Sequence, residues 1–335
     1  MVHSVVKASK LVLTGVGQLQ QQLILPNLVR RESLDQFKGS LNDTITFRVP
    51  GTLPARDYAF RNDRTSTIVY DDYAETTVNV TLSGNAYSAV KITDEQQDFD
   101  LQGSSVLLEA QTRAVSSKLE HAVADAMVGQ TYTVNVSVAA IGSLKAALIE
   151  ARRVLNVYGV QGNRVLVVGS AFESALLSDA TLSLAGNVGE ADATSQLHEA
   201  TIGRRYGFTI VVDQTIPAGN AYAFVEDAFI LATAVPSIPK GAPFGATVSS
   251  DGLSMRLVRD YDTDRMQDRQ VVNTWYGARS VVDTIRYWDA AATPKQEKIS
   301  TAQFFVRGIK LSLTGTSTYP AGASAINVAT GIAAP

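Results

Sequence analysis

Between Thr44 and Ser83 the sequence writes a long β-hairpin and supplies nothing of its own to cover it. Thr44–Val49 alternates, with Ile45, Phe47 and Val49 on one face; Ser66–Tyr70 and Thr76–Ser83 alternate again through Ile68, Tyr70, Val78, Val80 and Leu82. Period-two patterning punctuated by Pro and Gly reads as strands and turns. The tip between these runs, Pro50-Gly51 to Thr65, is polar and carries Arg56, Asp57, Arg61, Asp63 and Arg64. An isolated two-stranded ribbon is marginal in water and leaves both edges open to pairing. A chain that keeps such a ribbon is expected to cover it with another copy of itself. That points to an assembly subunit before it points to an enzyme.

The rest of the chain is long enough to support this. At 335 residues it can bury a substantial core, with about two domains expected from length. Apolar residues make up 45% and charged residues 18%, which excludes a disordered chain. The formal net charge of −3 lacks the basic surplus of a nucleic-acid-binding protein, leaving room only for a local patch without sequence specificity. With no cysteine there are no disulfides, thiolate metal sites or cysteine nucleophiles. The N-terminus does not read as a signal peptide, since Val5-Val6 and Leu11–Leu13 are broken by Lys7, Lys10, Gly15 and Gly17. No stretch reaches the roughly 20 apolar residues of a membrane span, so the chain reads as soluble.

Along the chain, residues 1–43 read as an arm. Val12, Val16, Leu19 and Leu23 recur at helical spacing, but Gly15, Gly17 and Gln20–Gln22 weaken the helix and Pro26 interrupts it. Such an arm is expected to be held by neighbours. After the hairpin, residues 44–85, come a polar strand at Ala86–Thr93 and a helix over Ser104–Val128, with Ser104 as N-cap and Gly129 beyond its end. Leu108, Val115, Leu119, Ala122 and Ala126 give that helix one apolar face, and its length is roughly 38 Å. Residues 131–236 read as an α/β unit. Ser143 caps a helix whose face is Leu144, Leu148, Ala151, Leu155 and Tyr158; then follow strand Arg164–Val168, helix Ala171–Leu177, helix Ala191–Ala200, and strands Phe208–Val212 and Tyr222–Ala232. Return strands are expected near Leu253–Tyr261, Val271–Trp275 and Ser280–Trp288, within residues 237–293. A tail, 294–335, contains one alternating strand around Ile309, Leu311 and Leu313, expected to pair with an edge of its own or a neighbouring subunit.

Chemistry-bearing motifs are few. His3, His121 and His198 have no serine or carboxylate motif converging on them. Gly169-Ser170 stands where a nucleophile elbow would, but Val168 and Phe172 occupy the flanking glycine positions. Gly15-Val16-Gly17 lacks the third glycine of a phosphate loop. Asp260, Asp262 and Asp264 open like a calcium loop, yet Arg265 and Val271 stand at its sixth and twelfth positions; Arg256, Arg259, Arg265 and Arg269 instead predict salt bridges. No catalytic residue, metal ligand or cofactor site is expected. The candidate contact residues are charged: Arg56, Arg61, Asp63, Arg64, Asp71, Asp72 and Glu75 in the loop, and Arg30, Arg31, Arg259, Asp260 and Asp262 in the arm and return strands. Single exposed pairs contribute only about 0–1 kcal/mol, so they matter only in many copies.

Arm, long hairpin, long helix, α/β domain and return strands, in that order, resemble the major capsid protein of a tailed bacteriophage. Three stretches carry the resemblance: Leu23-Ile24-Leu25-Pro26-Asn27-Leu28-Val29 leading into Asp43–Val49, Ala200-Thr201-Ile202-Gly203-Arg204-Arg205-Tyr206-Gly207-Phe208, and Gly252-Leu253-Ser254-Met255-Arg256 through Asp260-Tyr261-Asp262 to Tyr276-Gly277. The resemblance implies an α+β chain of the Hong Kong 97-type capsid fold. Residues 44–85 would be the extended loop, 86–130 and 237–293 the peripheral domain with its spine helix, and 131–236 the axial domain. It implies an icosahedral shell of hexamers and pentamers around double-stranded DNA, a virion location, and assembly in the bacterial host cytoplasm. Implied partners are a portal, a separate scaffolding protein (no long helical prosegment precedes the arm) and a decoration protein. Some shells of this fold are welded by Lys–Asn isopeptide bonds from the extended loop; no lysine lies between Lys38 and Lys91, so contacts here would be noncovalent. Encapsulin compartments share the fold and form the alternative; a soluble hydrolytic enzyme using Ser170 or His198 is a remote one.

Overall fold

The computed structural model describes residues 15–16, 19, 23–34, 44–51, 53–56, 58, 67–73, 75–93, 104–179, 203–289, 296–319, 326–327 and 332–333. The expected helix at Ala191–Ala200, the Ser104 cap, His3 and His198 lie outside the described residues or side chains. The chain forms two compact units and passes between them repeatedly: residues 1–45, 79–128 and 229–279 make one, and 46–78, 129–228 and 280–335 the other.

In the first unit, β1 (Arg30–Leu34), β10 (Phe229–Ala234), β13 (Gln267–Ser280), β12 (Leu253–Asp262) and β11 (Phe244–Ser250) form a sheet in that order, with β4 (Gly84–Thr93) also paired to β13. Helix α2, Ser104–Gly129, follows the expected span. Its buried face carries Leu108, Val115 and Leu119 as read from sequence, but then Val123 and Met127, while Ala122 and Ala126 are only half-buried. A four-residue step slowly drifts around a helix of 3.6 residues per turn, and the larger side chains win the core. Inside this unit Gln111 and Gln270 form a buried amide pair, Gln270 Nε2 donating to Gln111 Oε1 at 2.7 Å. Gln111 Nε2 in turn donates to the carbonyls of Ser88 and Gln270, both at 3.2 Å, tying the helix to β4 and β13.

The described residues of the N-terminal segment pack against their own chain, a hold that the sequence reading assigned to neighbours. Val16, Leu19, Leu23, Leu25 and Val29 are all buried, and β1 pairs in parallel with β10, Arg30 beside Ile230 through Leu34 beside Ala234. The short helix α1, Leu25–Leu28, has no cap of its own. The carboxylate of Glu120 on α2 accepts from the Ile24 N–H at 3.1 Å and the Leu25 N–H at 2.7 Å, satisfying donors that Pro26 and the helix start leave open.

The second unit is built on a mixed sheet of β5 (Asn135–Ser137), β16 (Gly308–Ser312), β9 (Asn220–Val225), β6 (Arg164–Val168), β8 (Phe208–Val212) and β7 (Arg204–Arg205), in that order. Helix α3 is Val138–Ile141, and α4, Leu144–Val157, starts where Ser143 Oγ accepts from the Ala146 N–H at 3.1 Å. Leu144, Leu148, Ala151 and Leu155 of α4 pack in one core with Leu166, Phe172, Phe208, Ile309 and Leu311. Helix α5, Ser170–Ser178, bridges the parallel strands β6 and β8. Two sequence expectations change. Tyr222–Ala232 is not one strand: Glu226–Ala228 forms a 3-10 turn, so β9 belongs to this sheet and β10 to the first unit's. The tail strand is no edge addition either, since β16 lies between β5 and β9, pairing with both. Strands β14 (Asp283–Asp289) and β15 (Gln296–Phe304) form a separate hairpin.

Candidate subunit interface

The ribbon is β2 (Thr44–Val49) with β3 (Thr76–Thr81), a two-stranded sheet as expected. Its cover differs from expectation, because Val78 and Val80 are buried within the chain. The C-terminal end of the ribbon is fixed in the first unit, where Arg279 Nη1 donates to the Asn79 carbonyl at 2.7 Å and the Ser83 N–H to the Tyr276 carbonyl at 3.0 Å. Gly277 is required there, since a Cβ would stand 2.3 Å from the Thr81 carbonyl oxygen.

What stays bare is the loop beyond the ribbon. Residues 67–73 form no strand, although Ser66–Tyr70 alternates; alternation makes a strand only when a partner edge is present, and the described residues of this chain offer none. Ile68 is 65% exposed, Val69 57%, Tyr70 89% and Tyr73 53%, and Leu53 and Tyr58 on the other limb are exposed too. The two limbs are clasped. Arg56 reaches across to Asp71 with two parallel hydrogen bonds, Nε to Oδ2 at 3.0 Å and Nη2 to Oδ1 at 2.6 Å, and the Gly51 N–H donates to the Tyr73 hydroxyl at 3.2 Å. The Arg56 guanidinium holds the Asp71 carboxyl below its ordinary range, chiefly through that hydrogen bond. Beneath the clasp, a polar cleft of about 720 Å³ lies between the loop limbs and the β14–β15 hairpin, lined by Arg56, Asp72, Glu75, Lys298 and Gln303.

The charged candidates fall mostly into pairs within the chain. In the loop Arg56 takes Asp71, and Glu75 stands 3.9 Å from Arg48; Arg61, Asp63 and Arg64 lie outside the described residues. In the first unit Arg30 pairs with Glu32 at 2.9 Å and Arg31 with Asp251 at 2.6 Å. Arg259 pairs with Asp268, while Arg269 reaches Asp260 at 2.9 Å and Asp262 at 3.6 Å across the β12–β13 hairpin. The alternating aspartates near 260 therefore serve a cross-strand charge ladder. Ser170 is the exposed first residue of α5. Sequence reasoning passed over the apolar character of 68–70 as a surface, and Glu120 as a cap. The first was legible as consecutive Ile-Val-Tyr with no covering segment; the second is a contact 95 residues away in sequence, with no local signal.

Among curated proteins no match in sequence is found. Many solved structures are similar in fold, three of them as follows. One, of Mycobacterium phage Che8, has a TM-score of 0.59 at 16% identity, covering 88% of this chain and 92% of that one. The capsid of cyanophage P-SCSP1u gives a TM-score of 0.61 at 12% identity, covering 94% and 91%. The mature capsid of bacteriophage PhiM1 gives 0.57 at 10% identity, covering 88% of each chain. The family profile described as phage capsid protein matches residues 86–293, from within β4 through α2 to just beyond β14, leaving β1 and β16 outside. The chain belongs to the phage capsid protein family: it is a structural protein of a phage capsid shell, with the Hong Kong 97-type fold.

Proposed function

We propose that many copies of this chain close into an icosahedral shell around double-stranded DNA, each copy laying its loop, residues 50–75, on the next. The observation that carries this is the uncovered Ile68-Val69-Tyr70 run on a clasped loop of a capsid-family chain. Contiguous exposed apolar side chains mark an interaction surface, and a loop preorganised by Arg56–Asp71 loses less entropy on docking. The contacts are noncovalent, as the loop holds no lysine. The clasp fixes the loop's shape while the aromatic and aliphatic groups supply contact; Asp72 and the outer charges set register. On this reading residues 86–130 and 237–293 form the peripheral part of the subunit and 131–236 the axial part, and the role requires no catalysis or cofactor. Shells would assemble in the bacterial cytoplasm with a portal and scaffolding protein, and take decoration protein outside.

The test is removal of the tip, Gly51 to Thr65. The deleted chain should keep its helical and sheet signal and its monomer unfolding transition, yet yield few closed particles by negative-stain microscopy. Normal, equally stable particles would refute the docking role.

A further inference from the structure

The chain is acidic overall, with net charge −3, yet one face of the second unit gathers cations. On α4 the exposed residues Lys145, Ile149, Arg152 and Asn156 recur at steps of four, three and four, a single outward stripe. Two further cations adjoin it. Arg164, which opens β6, donates through Nη2 to Asn156 Oδ1 at 2.8 Å and to the Val160 carbonyl at 2.7 Å. Arg152 Nη1 donates to the Tyr206 carbonyl at 3.1 Å in the β7–β8 turn, whose strand β7 carries exposed Arg204. That turn has φ +49° at Tyr206 and +88° at Gly207, the paired left-handed geometry of a tight hairpin. A Cβ on Gly207 would come within 3.2 Å of Arg152 Nη1, so the guanidinium lies directly on the glycine.

Among the described residues, the acceptors used by Arg152 and Arg164 are all neutral. Among the described residues no carboxylate pairs with Lys145, Arg152, Arg164 or Arg204, whereas the neighbouring Arg153 is neutralised by Glu150 at 2.7 Å. Burial and the charge of Arg152 lower the pKa of Arg164, so two cations stand close enough to repel. A protein partner fits such a face poorly. Interface cores favour aromatic groups and are depleted in lysine, and here one isoleucine is the only large apolar group of the stripe. A polyanion with evenly spaced charges fits it well.

We propose that this face, Lys145, Arg152, Arg164 and Arg204, lies against packaged duplex DNA and binds its phosphates without regard to sequence. The inference rests on the capsid reading, and its test is read separately from shell formation. Unassembled full-length chain is titrated against a labelled random-sequence 30-base-pair duplex, by fluorescence anisotropy, across a salt series. Wild type should bind, with log affinity falling linearly in log salt. Lys145→Gln/Arg152→Gln/Arg204→Gln should bind roughly tenfold more weakly, with a slope shallower by about 0.9 for each cation lost. Lys145→Gln/Arg204→Gln, which removes no hydrogen bond given by the fold, should lose part of the same slope if the triple variant misfolds. Lys91→Gln/Lys118→Gln/Lys240→Gln, an equal charge change elsewhere, should match wild type. Wild type that does not bind, or patch variants that bind like this control, would overturn the proposal. So would patch variants that keep DNA binding but lose shell assembly, which would make the face a contact between subunits. A wild type that binds DNA and never forms shells would refute the capsid reading and leave the DNA result standing.

Discussion

Glu120 supplies the start of α1 with the side-chain acceptor that its N-cap residue, Ile24, lacks. Its carboxylate is buried and takes two backbone N–H groups at the start of α1. Replacing it by alanine removes the acceptor of the buried Leu25 N–H and the part-buried Ile24 N–H, and should lower subunit stability by about 1–3 kcal/mol in urea unfolding. Glu120→Gln, with one acceptor oxygen, should fall between. A second residue-scale expectation concerns acid. Glu150 is held below its ordinary range, chiefly by the hydrogen bond from Arg153, with Tyr319 donating as well. A carboxyl depressed in the folded state contributes stability above its unfolded pKa and loses it as pH falls through the folded one. Glu150→Gln should therefore be less stable than wild type at neutral pH, and the gap should close on acidification. A gap that stays constant through acid titration would contradict that assignment.

At the scale of elements, what could be read from the chain was what local pattern encodes. Helix α4 begins at Ser143 because its hydroxyl caps it, and strands Arg164–Val168 and Phe208–Val212 fall where apolar runs are bounded by turns. Strands β2 and β3 were legible from their alternation, but their cover was not, since Val78 and Val80 are buried within the chain and the bare part is 67–73 beyond them. The failures share a different cause. Ser66–Tyr70 has a strand's alternation but lacks a partner edge among the described residues; Tyr222–Ala232 is one apolar run cut in two by Glu226–Ala228; and β16 is an ordinary alternating strand whose central position depends on β5 and β9, 175 and 88 residues earlier at paired Lys310–Asn135 and Lys310–Tyr222. Two predictions belong here. Tyr70→Ser, at a position 89% exposed, should shift subunit stability by no more than about 0.5 kcal/mol yet reduce particle yield. Leu311→Ala, fully buried in the middle of the second sheet, should cost about 2–5 kcal/mol in subunit unfolding. Equal stability of the Leu311 variant would contradict the central placement of β16.

For the whole molecule, the described residues comprise two compact units and an uncovered loop segment at 67–73. Most charges first suspected of reaching neighbours are paired within the chain, which stiffens the β12–β13 hairpin and the loop limbs. On the proposed reading, binding energy between copies falls mainly to apolar and aromatic groups that the chain leaves in water, multiplied over every subunit of a shell. The most direct measurement is cryo-electron microscopy of the expressed full-length chain. The account predicts closed icosahedral shells in which density for residues 67–73 lies on the adjacent subunit. A monodisperse monomer under all assembly conditions, or shells in which that loop projects into solvent, would contradict it.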